Sequence, residues 1–160
     1  MNQITYRLAT PTDIPQITTV WFEGMAVHAA IDPRFPLTPD AESKFENYLS
    51  EVLKDRNAFV FVAENASSIV GYCLARISHH PSVFSKQTYG YINDLFVTSK
   101  HRRTGVGKAL FETTASSLRG RGVRDLEVSL VPNNDMASSF WRKLGFTQRL
   151  ETLRLEADAT

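Results

Sequence analysis

Residues 95–110 read LFVTSKHRRTGVGKAL, and within this stretch the sequence changes character twice. The opening Leu95-Phe96-Val97 has the composition of a strand. From Thr104 to Leu118, Val106, Ala109, Leu110, Thr113 and Ser117 recur at helical spacing on one face. Between the two lies a basic turn with Lys100, His101, Arg102, Arg103, Gly105 and Gly107, and Lys108 follows. A strand that passes through such a turn into a helix is the architecture of a phosphate cradle. The first helical N–H groups lack partners and carry partial positive charge, and glycines let an anion approach the backbone. The plainer reading is a tight turn with a solvated basic face, and each residue alone suits it. Two familiar phosphate loops fail here. A P-loop lacks its leading glycine and has Ala109 in place of Ser or Thr, and a dinucleotide fingerprint from Gly105 meets Leu110 where its third glycine belongs.

Around this stretch the elements interleave. Residues 4–8 alternate like a strand, and Thr10-Pro11-Thr12-Asp13 signals a helix that runs to about His28. Ala29 to Pro39, with three prolines, suits a loop, and Ala41 to Leu53 reads as a second helix. Asn57 to Ala63 and Ser68 to Ile77, joined by Glu64-Asn65-Ala66-Ser67, predict an antiparallel hairpin. Tyr89 to Thr98 is a further strand, and LEVSLV (126–131) another. Asp135 to Leu144 carries Ala137, Phe140, Trp141 and Leu144 at helical spacing and stops at Gly145; Phe146 to Leu155 is strand-like again. The sum is one α/β domain with a mixed sheet spanning residues 1–160.

Composition narrows the function. A chain of 160 residues with 42% hydrophobic and 22% charged residues can bury a core and has no bias toward disorder. Eighteen Lys and Arg against 17 Asp and Glu give a net charge of +1, too little for a general nucleic-acid binder unless the charges segregate. The single cysteine, Cys73, rules out an internal disulfide framework and a cysteine-rich zinc module, and its apolar surroundings suit a packed thiol. No apolar run is long enough to span a bilayer, and the first residues lack a signal-peptide core, so a cytoplasmic protein without membrane or metal partners is expected.

Arg102-x-x-Gly105-x-Gly107 resembles the [QR]-x-x-G-x-[GA] signature of the GNAT superfamily of N-acetyltransferases. The likeness extends to the preceding DLFV strand and to Asn134-x-x-Ala137-x-x-Phe140-Trp141-x-Lys143-x-Gly145-Phe146, which is similar to the family's second motif. It covers residues 57–155 in order and spacing. The resemblance implies a three-layer domain: a mixed, mostly antiparallel sheet with helices on both faces and a splayed strand pair that holds coenzyme A. It implies acetyl-CoA as cosubstrate, with the pyrophosphate on the backbone amides of Arg102, Arg103, Thr104, Gly105, Val106, Gly107 and Lys108. Arg102 has ordering the loop as its other role. The resemblance also places the pantetheine arm along Leu95, Phe96 and Val97, with a strand N–H polarising the thioester carbonyl. Asn134 would bond the arm from the other side, or cap its helix, or both.

The implied reaction is direct attack of an amine on the thioester, which requires a proton acceptor. Asp94 is the nearest carboxylate. Some relatives place a glutamate one residue earlier, but Asn93 stands there, and strand neighbours face opposite sides, which would turn Asp94 away. His79, His80, Glu23 and Asp32 are the other candidates. Trp141 occupies the position where many relatives have a tyrosine thought to protonate the leaving thiolate; indole does not titrate in this range, so that role does not transfer, and pantetheine contact or core packing remain. The resemblance implies an acceptor pocket shaped by about Val20–Leu37 with His79–Tyr91 opposite, which hold Trp21, Phe22, His28, Phe35, Phe84, Tyr89 and Tyr91 together with Glu23, Asp32 and Arg34. Relatives often form homodimers, though no interface is legible. The competing function is an acetyl-CoA sensor without turnover, which Asn93 and Trp141 keep open; nucleic-acid binding through Lys100–Arg103 and Arg119–Arg124 is the third reading.

Overall fold

The computed structural model describes residues 3–34 and 36–155. A first unit runs to Ser129. Its five-stranded sheet has the order β1 (Thr5–Leu8), β2 (Ala58–Asn65), β3 (Ser68–His79), β4 (Thr88–Val97), β5 (Leu126–Val128). The first four strands are antiparallel neighbours, and β5 joins parallel to β4. Helices α1 (Ile14–Ile31) and α2 (Ala41–Val52) lie on one face, where Ile17, Val20, Phe45, Leu49 and Val52 bury against Val60, Val62, Tyr72 and Leu74 of the sheet. The alternate residues of β3 turn to the other face and meet α3 (Val106–Gly120): a Cβ on Gly71 would touch Leu110, and the thiol of Cys73 bonds Thr114. This is the expected mixed, mostly antiparallel sheet with helices on both sides.

Several boundaries differ from the sequence reading, each for a physical reason. Helix α1 runs on to Ile31, three residues past His28. The β2–β3 turn is only Ala66-Ser67, both at positive φ (48° and 67°), so Glu64 and Asn65 pair within the ladder. That is the mirror-image two-residue turn that suits strand twist, made here without the glycine that would have announced it. Strand β5 stops at Val128, three residues short of the expected Val131, because its partner β4 leaves it: pairing ends at Ile92–Val128.

One close approach fixes how α1 sits. Gly24 is buried in α1, and a Cβ built there would fall within the ring of Phe96 on β4. Gly24→Ala should therefore destabilise the protein by about 1–2 kcal/mol: overpacking costs roughly 1–3 kcal/mol or more, offset by the ~1 kcal/mol that alanine gains over glycine in a helix. Chemical denaturation measures it, and a more stable variant would contradict this packing.

The second unit begins at Leu130. Its helix α4 (Asp135–Lys143) is capped at both ends. The Asn134 side-chain oxygen accepts the Ala137 N–H at 3.0 Å. At the other end Gly145 (φ 93°) donates to the Arg142 carbonyl and Phe146 to that of Trp141, the paired bonds of a glycine-terminated helix. The strand expected over Phe146–Leu155 does not form; Leu150, Leu153 and Leu155 are exposed, and the unit offers no second strand among its described residues to pair the backbone.

Candidate active site

The turn between β4 and α3 is held from behind and open in front. His101 bonds Thr98 (2.9 Å) and meets Asn65 (3.4 Å), and Thr104 donates to the His101 carbonyl at 2.6 Å. Arg102 folds back so that its Nε donates to the Val97 carbonyl at 2.8 Å, with its outer nitrogen 3.6 Å from Glu23. Glu23, from α1, also accepts the Ser99 N–H at 2.6 Å. Of the five basic residues between 100 and 108, His101 and Arg102 thus order the turn, and Lys108 lies 3.7 Å from Glu112. With Arg103 at φ 65° and Gly105 at φ 92°, the chain curls into α3, and the backbone amides of Arg103 to Lys108 donate to no partner among the described residues. Six unpartnered amides in succession at a helix start suit an anion with several oxygens.

Next to this turn, the edge of β4 is bare. Once β5 departs after Ile92, residues 93–97 have β3 on one side only. The Thr98 N–H bonds the Val70 carbonyl of β3 at 2.9 Å. Alternation then points the Leu95 and Val97 amides toward the bare edge, where they meet no backbone partner among the described residues, while the Val97 carbonyl there is held by Arg102. Phe96 faces the other way, into the core beside Gly24, with His28 5.4 Å from its ring.

A bulge sits where β4 becomes bare. Leu74 pairs with Asp94 and Ala75 with Ile92, so Asn93 is an extra residue with no partner. The bulge breaks the alternation between Ile92 and Asp94: Ile92 faces α3, while Asp94 lies with Tyr72 and Leu74 on the α1–α2 face. Burial pushes the Asp94 carboxyl up to about 6, opposed by the hydroxyl of Tyr72. Tyr72 is itself fully buried and raised well above the usual phenol range by burial first and Asp94 second, yet its hydroxyl reaches no partner in hydrogen-bond geometry. A poised carboxylate beside an unsatisfied phenol is the arrangement of a proton acceptor or of a polar ligand site. Tyr72 was not singled out from the sequence, because nothing local marks a tyrosine in an apolar strand.

The other candidates are engaged elsewhere. Glu23 secures the turn, as described. Asp32 is held by Arg34 through two side-chain bonds of 2.8 and 2.7 Å, which lower its carboxyl to about 2 and make it a poor base. His79 meets Thr88 at 3.2 Å, and His80 stacks on Tyr89 and bonds Glu127 at 3.1 Å. Trp21 stacks on Phe45 at 4.1 Å, beside a hollow of about 350 Å³ lined also by Pro36, Leu37 and Lys44. Phe35 lies outside the described residues. In the second unit, Asn134 spends its oxygen on the helix cap and keeps its NH₂ free among the described residues, while Trp141 is buried between Phe140 and Phe146, each 5.0 Å away edge-on. Among the described residues no group of His, Cys, Asp and Glu could hold a metal ion, and no helix is long and apolar enough to cross a membrane.

The sequence pattern of the acetyltransferase (GNAT) family matches residues 21–146. An L-ornithine N5-acetyltransferase of Arabidopsis thaliana is 30% identical, covering 87% of this chain and 77% of its own. An N-alpha-acetyltransferase of Sulfurisphaera tokodaii is 28% identical over 64% of this chain and 67% of its own. In structure, a predicted acetyltransferase from Clostridium acetobutylicum solved with acetyl-CoA superposes with a TM-score of 0.78 at 17% identity, covering 96% of each chain.

Proposed function

The chain belongs to the GNAT acetyltransferase family, and on that premise we propose that it transfers the acetyl group of acetyl-CoA to a primary amine by direct attack. The observation that carries this reading is the run of unpartnered amides from Arg103 to Lys108 beside the bare edge of β4. Acetyl-CoA, when bound, supplies the activated thioester. The amides of residues 103–108 take its pyrophosphate, with Arg103 and Lys108 adding charge and Arg102 shaping the turn. The Leu95 and Val97 amides hold the pantetheine arm, and one of them polarises the thioester carbonyl.

Asp94 takes one proton from the acceptor's ammonium, the freed amine bonds to the acetyl carbon, and as the carbon–sulfur bond breaks the nitrogen gives its second proton to water. Water protonates the departing thiolate: Trp141 has no acidic proton to give, and a thiol of pKa near 8.5 is a fair leaving group without one. The relatives' names point to different amines, a side-chain nitrogen in one and an α-nitrogen in another, so the acceptor must be argued from this chain's own residues.

The test is steady-state release of CoA thiol across a panel of amines. Acceptor-dependent release, with acetylated amine found by mass spectrometry, is expected. Tight acetyl-CoA binding with no amine raising the release above background would replace this reading with that of a sensor.

A further inference from the structure

The α1–α2 face of the sheet carries a second unsatisfied group. Strand β3 presents Tyr72, Leu74 and Arg76 on that face; Leu74 stands opposite Asp94, and Arg76 opposite Tyr91. Tyr72 and Leu74 are wholly buried, whereas Arg76 lies half-buried at the margin. The Nε of Arg76 is buried with no hydrogen-bond partner. Its guanidinium stands over the ring of Tyr48 from α2, 5.4 Å from the centroid. No carboxylate among the described residues forms an ion pair with it, although every other buried or half-buried arginine of the α1–α2 side has one: Arg7 holds Asp13 and Glu64, and Arg102 lies near Glu23.

The guanidinium couples to the Tyr48 hydroxyl but meets no carboxylate, and its planar fork is shaped for one. Asp94 does not fill the gap. It lies one diagonal step across the ladder, past the bulge, and its carboxyl answers to burial and to Tyr72 rather than to Arg76. The face therefore sets a carboxylate and a guanidinium at neighbouring positions with no ion pair between them, and the phenols of Tyr48 and Tyr72 feel the Asp94 charge.

We propose that Arg76 binds a carboxylate of the acceptor, so that the acetylated amine belongs to a small free amino acid, its carboxylate on the Arg76 guanidinium and its amine facing Asp94. This rests on the acetyl-transfer reading above and adds the substrate class. Tyr48 lies against the guanidinium and fixes its position. A polyamine brings no anion to Arg76 and would suffer its repulsion. The α-amine of a peptide carries an amide where the free amino acid carries its carboxylate. Both should be poor acceptors.

The experiment compares free protein amino acids with their carboxamides and with the matching decarboxylated amines. For the preferred amino acid, kcat/KM should exceed that of its carboxamide by about ten- to hundredfold, the range expected for hydrogen bonds to a charged group. Arg76→Met should abolish that preference by raising KM for the amino acid, with the acetyl-CoA affinity unchanged, and Arg76→Lys should restore part of it. Equal or better use of the carboxamide, the amine or a peptide by the unaltered protein would overturn the proposal, even if Arg76→Met does not fold. Should no amine be turned over, calorimetric titration of amino acids into the CoA-loaded protein still decides. Binding that Arg76→Met loses supports the proposal; binding that it keeps, or none to the unaltered protein, overturns it.

Discussion

Gly107→Glu is expected to weaken acetyl-CoA binding by at least about a hundredfold while leaving the protein folded. Gly107 is the second residue of α3 and adopts ordinary helical geometry, so a side chain there needs no unusual backbone. An acidic residue in the first turn of a helix is in fact favourable, by about 0.3–1 kcal/mol, because it complements the same partial positive charge that would hold a phosphate. The new carboxylate thus competes with the ligand for one field. A unit charge near another at contact distance is worth about 1 kcal/mol in water and about 4 kcal/mol near a protein surface, and a pyrophosphate brings two. Displacing even one charge-assisted amide bond removes a further ~1.5–3 kcal/mol. A hundredfold loss needs only about 2.7 kcal/mol. Gly107→Ala isolates the effect of bulk and should lose far less. Isothermal titration with acetyl-CoA measures all three proteins; unchanged affinity in a folded Gly107→Glu protein would remove the turn from the site.

That turn was legible in the sequence because its determinants are local: a strand, a basic glycine-bearing turn and a helix within sixteen residues from Leu95 to Leu110. The hairpin and the helices were legible for the same reason. What was not legible depends on distant partners. Glu23 reaches the Ser99 amide across 76 positions of sequence. This acid restrains Arg102 in a segment that holds no acid of its own. The length of β5 depends on where β4 turns away, and the expected last strand, Phe146–Leu155, had the right composition but no partner. The bulge at Asn93 matters most. A one-residue insertion exchanges the faces of everything beyond it, and no residue in YINDLF announces it. From Val97 back to Asp94 alternation holds and sets Asp94 beside Phe96 and Tyr72; past Asn93 it fails, and Ile92 turns to the α3 face. Arg76 was overlooked because its meaning lies in a missing counter-ion.

Asp94→Asn should lower kcat by about 10²–10⁴, the usual worth of a general base, and at the same time make the protein more stable at neutral pH. The two effects share one cause. Burial holds the Asp94 carboxyl at about 6 against an ordinary value of 3.8, so the folded protein keeps its proton where the unfolded chain has lost it. Between those two values stability therefore falls as pH rises, and above about 6 the full penalty persists. At ~1.4 kcal/mol per pKa unit, the penalty is on the order of 3 kcal/mol, and asparagine, which cannot ionise, escapes it. Urea denaturation should show the variant more stable than the unaltered protein at neutral pH, with the gap closing as pH drops below the ordinary aspartate range. In the rate, the unaltered protein should show a rising limb in kcat with a midpoint near 6 that the variant lacks. A variant that is slower but not stabilised would mean that the carboxylate is compensated by a partner in the folded state, and a variant with near-normal kcat and the same limb would move the base elsewhere. Loss of rate with gain of stability is the combination that a purely structural aspartate would not produce, since removing a carboxylate that holds the fold together lowers stability.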